Sequence, residues 1–93
     1  MIRSTRGRLI ESIISGRSAK GFPADLVRRA EVKVAQVDAA QTLDDLRAPP
    51  SNHLEKLSGD RRGQHSIRIN RQWRVCFHWK GDDAHDVEIV DYH

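Results

Sequence analysis

The sequence predicts an α+β domain in which two N-terminal helices pack on a small, mainly antiparallel twisted sheet. Two observations predict this class. Apolar residues recur at helical spacing in the first half of the chain, and they alternate with polar residues after position 53. The pair Pro49-Pro50 separates the halves, since proline ends helical structure. A length of 93 residues leaves room for one domain, which we assign to residues 1–93.

Two helices and one short turn are predicted before the prolines. The first helix has its apolar face at residues 9–14, and Gly16 ends it. The second is expected over residues 23–40, because Pro23 suits a first helical turn and a stripe of apolar residues follows. In residues 42–46, a threonine precedes an aspartate by three positions, which resembles a capping box and predicts a further short turn.

The second half of the chain predicts a short extended piece at residues 54–57 and then a three-stranded meander. The strands are expected around residues 65–69, at 73–79 and from 87 towards 91. Successive side chains of a strand point to opposite faces. The apolar set therefore faces the helices, and the other side, which we call the open face, receives a polar set: Arg68, Arg74, His78 and Lys80.

Charge is distributed unevenly along the chain. Residues 61–80 contain six Lys or Arg and no acid, whereas residues 81–93 contain five acids and neither Lys nor Arg. Such a basic segment favours a polyanionic partner, although a solvated surface is the alternative interpretation. The apolar run in residues 9–14 is too short and too polar for a membrane span or a signal peptide, so we expect a cytoplasmic protein with no membrane partner.

The residue types exclude several kinds of chemistry. The five histidines show no metal-ligand spacing, and Cys76 is the single cysteine, so we expect no disulfide, no metal and no cofactor. RNA carries its own nucleophile, the 2′-hydroxyl, and needs only charge stabilisation and proton transfer. Asp91, Tyr92 and His93 offer three titratable groups at a strand end, with a frayed terminus as the alternative.

The C-terminal forty residues contain three motifs: L-x-G-D-R-x-G at residues 57–63, I-R-I-N-x-Q-W-R at residues 67–74, and V-D-Y-H at residues 90–93. In this combination they resemble the HigB-type toxins of the RelE/ParE superfamily, which belong to bacterial type II toxin–antitoxin modules. The first four residues and the stretch from 39 to 50 are also similar to the family. The likeness therefore spans nearly the whole chain.

The resemblance implies a microbial-RNase-like domain that cleaves mRNA in the ribosomal A site. It also implies a HigA-type helix-turn-helix antitoxin, contact with operator DNA only through the toxin–antitoxin complex, and a short first strand at residues 1–4. By the same resemblance, Arg74 is the phosphate-stabilising arginine, and Asp91, Tyr92 and His93 form the C-terminal catalytic group.

One departure from the family concerns two positions. Some members carry a histidine and a lysine where this sequence has Glu55 and Ser58. Glu55 is predicted to act as a catalytic base, because a carboxylate can accept a proton. Lys56 and His53 lie nearby but out of register.

RNA and ribosome binding is assigned to five cations of the basic segment: Arg61, Arg62, Arg68, Arg71 and Lys80. Two further hypotheses remain open. A ParE-like gyrase inhibitor would share the fold and act as a protein-binding module, and an interaction protein would have lost its catalytic groups. The terminal Asp-Tyr-His and the arginine-rich open face favour RNA.

Overall fold

The computed structural model describes residues 1–17 and 19–92, and it places two helices on one face of a four-stranded sheet. The predicted fold class is therefore confirmed. The helices and strands have the following bounds: α1 Arg8–Ser15, α2 Val27–Ala39, β1 Glu55–Lys56, β2 Gln64–Arg68, β3 Trp73–Lys80 and β4 Asp83–Asp91.

Both predicted helices form, but the second starts later than expected. Gly16 ends α1 in the left-handed conformation, with φ of 74°. After Pro23 the chain first makes a 3₁₀ turn, in which the Leu26 amide donates to the Pro23 carbonyl at 3.0 Å, and α2 begins only at Val27. Such tight turns are common at helix N-termini, and apolar periodicity does not distinguish them from an α-helix. No helix in residues 1–17 or 19–92 is long and apolar enough to cross a bilayer.

The capping box after α2 is confirmed. The Thr42 side chain accepts a hydrogen bond from the Asp45 amide at 3.3 Å, and the Asp45 carboxylate accepts one from the Thr42 amide at 3.1 Å. The element it starts is a 3₁₀ helix, Leu43–Arg47.

The strands pair antiparallel in the order β1-β2-β3-β4. The N-terminal segment lies along the outer edge of β4, where Ile2 forms a parallel bridge with Ala84 and Thr5 forms one with Val87. The family resemblance implies a short strand at residues 1–4, but this segment forms isolated bridges and no regular strand. The segment covers an edge that would otherwise expose unpaired backbone groups.

The core lies between the helices and the side of the sheet opposite the open face. Val75 and Phe77 of β3 have no exposed surface there, and neither do Ile10 of α1 and Val37 of α2. These are the apolar alternates that the period of two predicts for the helix-facing side.

A buried asparagine holds the segment that connects α2 to the sheet. Asn52 is fully buried, and its amide donates to the carbonyls of Leu46 and Ala48 at 3.1 and 3.2 Å. Its side-chain oxygen accepts from the ammonium of Lys33 on α2 at 2.5 Å. Burial, and secondly the charge of Arg29, lower the pKa of Lys33. The network fixes where the chain enters β1, beside the open face.

Candidate active site

The strand register confirms that the predicted polar set shares the open face. Arg68 on β2 lies opposite Arg74 on β3, and opposite residues of an antiparallel pair point to the same side. His78 and Lys80 follow Arg74 along β3 at intervals that keep them on that side.

A row of four residues crosses the middle of the open face from β1 to β4. Its members, in order, are Glu55, Ser66, Cys76 and Glu88. Ser66 and Cys76 have no exposed surface, whereas the row ends in a carboxylate on each side. Each of these carboxylates forms an ion pair with an arginine, so charged side chains occupy the centre of the face.

Arg74 is the more enclosed of the two arginines. Its guanidinium donates to the Glu55 carboxylate at 2.9 Å, to the Ser66 hydroxyl at 2.8 Å and to the His53 carbonyl at 3.3 Å. Its side chain is only 11% exposed, although Glu55 is about half exposed. Three acceptors fix the planar guanidinium in one orientation. The ammonium of a lysine, on its flexible stem, would not be held in this way.

Tyr92 completes the surroundings of Arg74. The guanidinium carbon lies 5.9 Å from the centre of the Tyr92 ring, a cation–π contact. Tyr92 is 38% exposed, so part of the residue is accessible to a ligand. The structure thus brings together three predicted site residues: Glu55, Arg74 and Tyr92.

Asp91 lies on the other side of the sheet. It is paired with Trp73, whose indole packs edge-on against Phe22 under the helices, with ring centres 4.8 Å apart. The Asp91 carboxylate accepts a hydrogen bond from the Gln72 side chain at 3.2 Å. Its proposed catalytic role stays a prediction, and so does that of His93, which lies outside the described residues.

The second arginine pair is formed by Arg61. Its guanidinium donates to Glu88 at 3.1 Å and to the Gln64 side-chain oxygen at 3.1 Å. Burial raises the pKa of the neighbouring Cys76 thiol to about 11, against the opposing effect of Arg61. The thiol is therefore protonated at neutral pH and is not a nucleophile.

The other four cations predicted to bind RNA lie at two ends of the open face and on loops. Arg68 is half-buried beside Arg74, and its guanidinium donates to the Asn70 carbonyl at 3.1 Å. Arg62 and Arg71 are exposed on loops before and after β2. Lys80 is exposed at the far end of β3, six residues or about 20 Å from Arg74.

The other polar residues near Glu55 in the sequence contribute no side-chain contact to Arg74 that the structure records. Lys56 is paired with His65 and so lies on the side opposite Glu55. His53 has a left-handed backbone, φ 44°, and contributes its carbonyl rather than its ring to Arg74. Ser58 is exposed just before the turn Gly59–Arg61.

Sequence reasoning missed Ser66 and Glu88. Both sit on the polar alternation of their strands, which is the signal that could have identified them. Among the described residues, no group of three or more His, Cys, Asp or Glu could hold a metal ion.

Comparison with known proteins places this chain in a family. A model of the RelE-like toxins of the HigB type II toxin–antitoxin system matches residues 13–93. Toxin HigB-1 of Vibrio cholerae is 42% identical over 74 residues, which are 80% of this chain and 65% of that toxin. Endoribonuclease HigB of Proteus vulgaris is 29% identical over the full length of both chains.

The solved structures that resemble this chain agree on the fold. The YoeB–YefM complex of Staphylococcus aureus contains a chain that superimposes with a TM-score of 0.58 at 17% identity, covering 100% of this chain and 98% of that one. At that identity the likeness concerns the fold alone. With the family match over residues 13–93, the chain belongs to the HigB-like toxins, the RelE-like toxins of type II toxin–antitoxin systems.

Proposed function

We propose that this toxin is a ribosome-dependent endoribonuclease that cleaves mRNA in the ribosomal A site by metal-independent attack of the 2′-hydroxyl. The observation that carries the proposal is the Arg74 guanidinium, held by three acceptors on the open face beneath the partly exposed ring of Tyr92. Two comparisons support it, namely the HigB-like family match and the relative named Endoribonuclease HigB.

The chemical step requires two proton transfers and no cofactor. The 2′-oxygen attacks the adjacent phosphorus while a base takes its proton, and the bond from phosphorus to the 5′-oxygen breaks as that oxygen receives a proton. The products are a 2′,3′-cyclic phosphate and a free 5′-hydroxyl. Negative charge builds on the phosphoryl oxygens in the transition state, where a preoriented guanidinium stabilises it.

Arg74 is the charge-stabilising group in this scheme. Its guanidinium has five N–H donors, so a phosphate can engage donors that the three protein acceptors leave unused. Glu55 contacts the same guanidinium and is the described carboxylate best placed to take the 2′-proton. Tyr92 offers its exposed ring face for stacking of an unstacked mRNA base.

The partner assignments extend the same proposal. A HigA-type helix-turn-helix antitoxin neutralises the toxin, and operator DNA is bound only through the complex of the two proteins. The family match to a toxin–antitoxin system supports this, as do structural neighbours solved as toxin–antitoxin complexes. The site of action is the cytoplasm, where translating ribosomes are found.

The experiment is induction of the toxin in cells, followed by mapping of mRNA 5′ ends. We expect new 5′ ends inside translated reading frames, and their loss when translation initiation is blocked. The family match favours this result over gyrase inhibition. A DNA-damage response without new mRNA ends would contradict the proposal and favour the gyrase alternative.

A further inference from the structure

Two adjoining hollows beside the open face are lined by cations. The first encloses about 250 Å³, and the side chains that matter here are Arg29, His53, Arg68 and Arg71. The second, of about 670 Å³, shares Arg29 with the first. It adds Arg28 and Lys33 and contains one carboxylate, Asp25. Within the described part of the chain, none of the arginines or lysines of either hollow forms an ion pair.

Two guanidiniums converge on the turn between β2 and β3. Arg29, on α2, donates to the Ile69 carbonyl at 3.4 Å, and Arg68 donates to the adjacent Asn70 carbonyl at 3.1 Å. Each bond occupies one of five N–H donors, which leaves the others available to a ligand. The forked guanidinium matches the oxygen pairs of a phosphate.

The first hollow begins where the Arg74 site ends. Arg68 lies directly opposite Arg74 in the strand register. His53 accepts from Arg74 through its carbonyl and is also a lining residue of the hollow. An RNA strand whose reacting phosphate lies at Arg74 would therefore place a neighbouring phosphate near Arg68, which lines the same hollow as Arg29.

Among the described residues, no ion pair offsets the positive charge of the first hollow. Like charges directly opposite each other in a sheet are destabilising, and only Arg74 of the pair has a carboxylate partner among the described residues. Arg29 likewise disfavours the charge of Lys33, whose pKa burial already lowers. A bound polyanion would relieve this repulsion.

We propose that the hollow lined by Arg29, Arg68 and Arg71 binds the sugar–phosphate backbone of RNA next to the phosphate held at Arg74. The inference rests on the proposed ribonuclease function and adds Arg29 of α2 to the RNA-binding surface. The phosphates belong either to the mRNA or to ribosomal RNA.

The test compares Arg29→Gln with Arg8→Gln, since both arginines are exposed on helices and Arg8 lines neither hollow. Binding is measured to 70S ribosomes programmed with an mRNA whose A-site codon carries 2′-deoxy sugars and so resists cleavage. We expect Arg29→Gln to weaken binding about tenfold. The slope of log K against log salt should shrink by about 0.7 to 0.9. Arg8→Gln should change neither.

A second mRNA, truncated after the P-site codon, identifies the source of the phosphates. If Arg29→Gln weakens binding only when the A-site codon is present, the phosphates belong to mRNA. If it weakens binding to ribosomes carrying either mRNA, the phosphates belong to ribosomal RNA. Ser51→Glu, which adds a carboxylate to the hollow while leaving every cation in place, should weaken binding in the same way.

The outcomes separate this inference from the function it rests on. Arg29→Gln and Ser51→Glu variants that melt and bind ribosomes like the wild type would overturn the inference, even if the wild type cleaves mRNA. Loss of antitoxin binding with unchanged ribosome binding would overturn it too, because the hollow would then serve a protein. A wild type that binds with this salt dependence but cuts no mRNA would refute the proposed function alone.

Discussion

The two faces of β3 differ in what holds their side chains in place. On the helix-facing side, Val75 and Phe77 are held by non-directional packing in a core cluster that includes residues of both helices. On the open face, Arg74 is held by three directional bonds, whereas Lys80, at the other end of the same face, is exposed. The alternation of apolar and polar residues along β3 thus produces a uniformly buried helix-facing side and an open face whose two ends differ. We expect the stability of the protein to depend on the helix-facing side, and its activity to depend on the Arg74 end of the open face.

The largest effect is expected on the helix-facing side. Phe77→Ala removes a fully buried ring from the centre of the core, which typically costs about 3–5 kcal/mol of unfolding free energy. Urea unfolding of purified protein measures it. Lys80→Ala is the matched open-face variant on the same strand, and it should change stability by less than about 0.5 kcal/mol. Equal losses in the two variants would abolish the distinction between the faces.

The two ends of the open face are compared by Arg74→Gln and Lys80→Gln. Loss of a preoriented donor to a developing oxyanion typically costs about 2.7–4 kcal/mol in the transition state, so Arg74→Gln should lower the cleavage rate by about 10²–10³-fold. Lys80 is predicted to bind RNA about 20 Å from Arg74, so Lys80→Gln should weaken ribosome binding but leave the cleavage rate at saturating toxin nearly unchanged. Single-turnover cleavage on programmed ribosomes measures both, with melting curves as the control for folding. An active Arg74→Gln protein would remove Arg74 from the site.

Cys76 tests whether the centre of the open face behaves like core. Burial raises the native pKa of its thiol from 9.0 to about 11, so the unfolded thiol ionises first as the pH rises. The unfolded state then binds fewer protons, and the resulting stability contribution is complete below pH 9 and is lost as the pH rises through about 11. Each pKa unit corresponds to about 1.4 kcal/mol, so the full loss, reached above the native pKa, should be about 3 kcal/mol.

The measurement is the unfolding free energy of the wild type minus that of Cys76→Ala, since subtraction removes the titration of Lys and Tyr side chains. This difference should decline between about pH 8.5 and about pH 10.5. A difference that stays constant over that range would mean that water reaches the thiol in the native state.

Tyr92 tests the exposed end of the Arg74 site. Tyr92→Ala should raise the free-energy barrier to mRNA cleavage by about 1–3 kcal/mol. This is the usual contribution of a base stacked on an aromatic ring. The unfolding free energy should change little, because Tyr92 is 38% exposed. Tyr92→Phe keeps the ring and should retain most of the activity. A Tyr92→Phe protein as weak as Tyr92→Ala would transfer the role from the ring to the hydroxyl.

Much of this protein follows from its sequence. Apolar spacing predicted both helices, and the period of two placed Arg68, Arg74, His78 and Lys80 on one face, because side-chain direction in a strand is a local property. The capping box at Thr42 is local as well, since its donor and acceptor lie three residues apart. The family, too, is indicated by short motifs of contiguous residues, which depend on no long-range contact.

The tertiary structure decided which of the polar side chains meet. Glu55 reaches Arg74 only because Asn52 fixes the entry to β1, and Asp91 is directed away from Arg74 because its register pairs it with Trp73. Arg29 of α2 comes beside Arg68 across some forty residues of chain. Such contacts depend on strand register and helix packing, which are set by the folded core as a whole, and no local pattern encodes them.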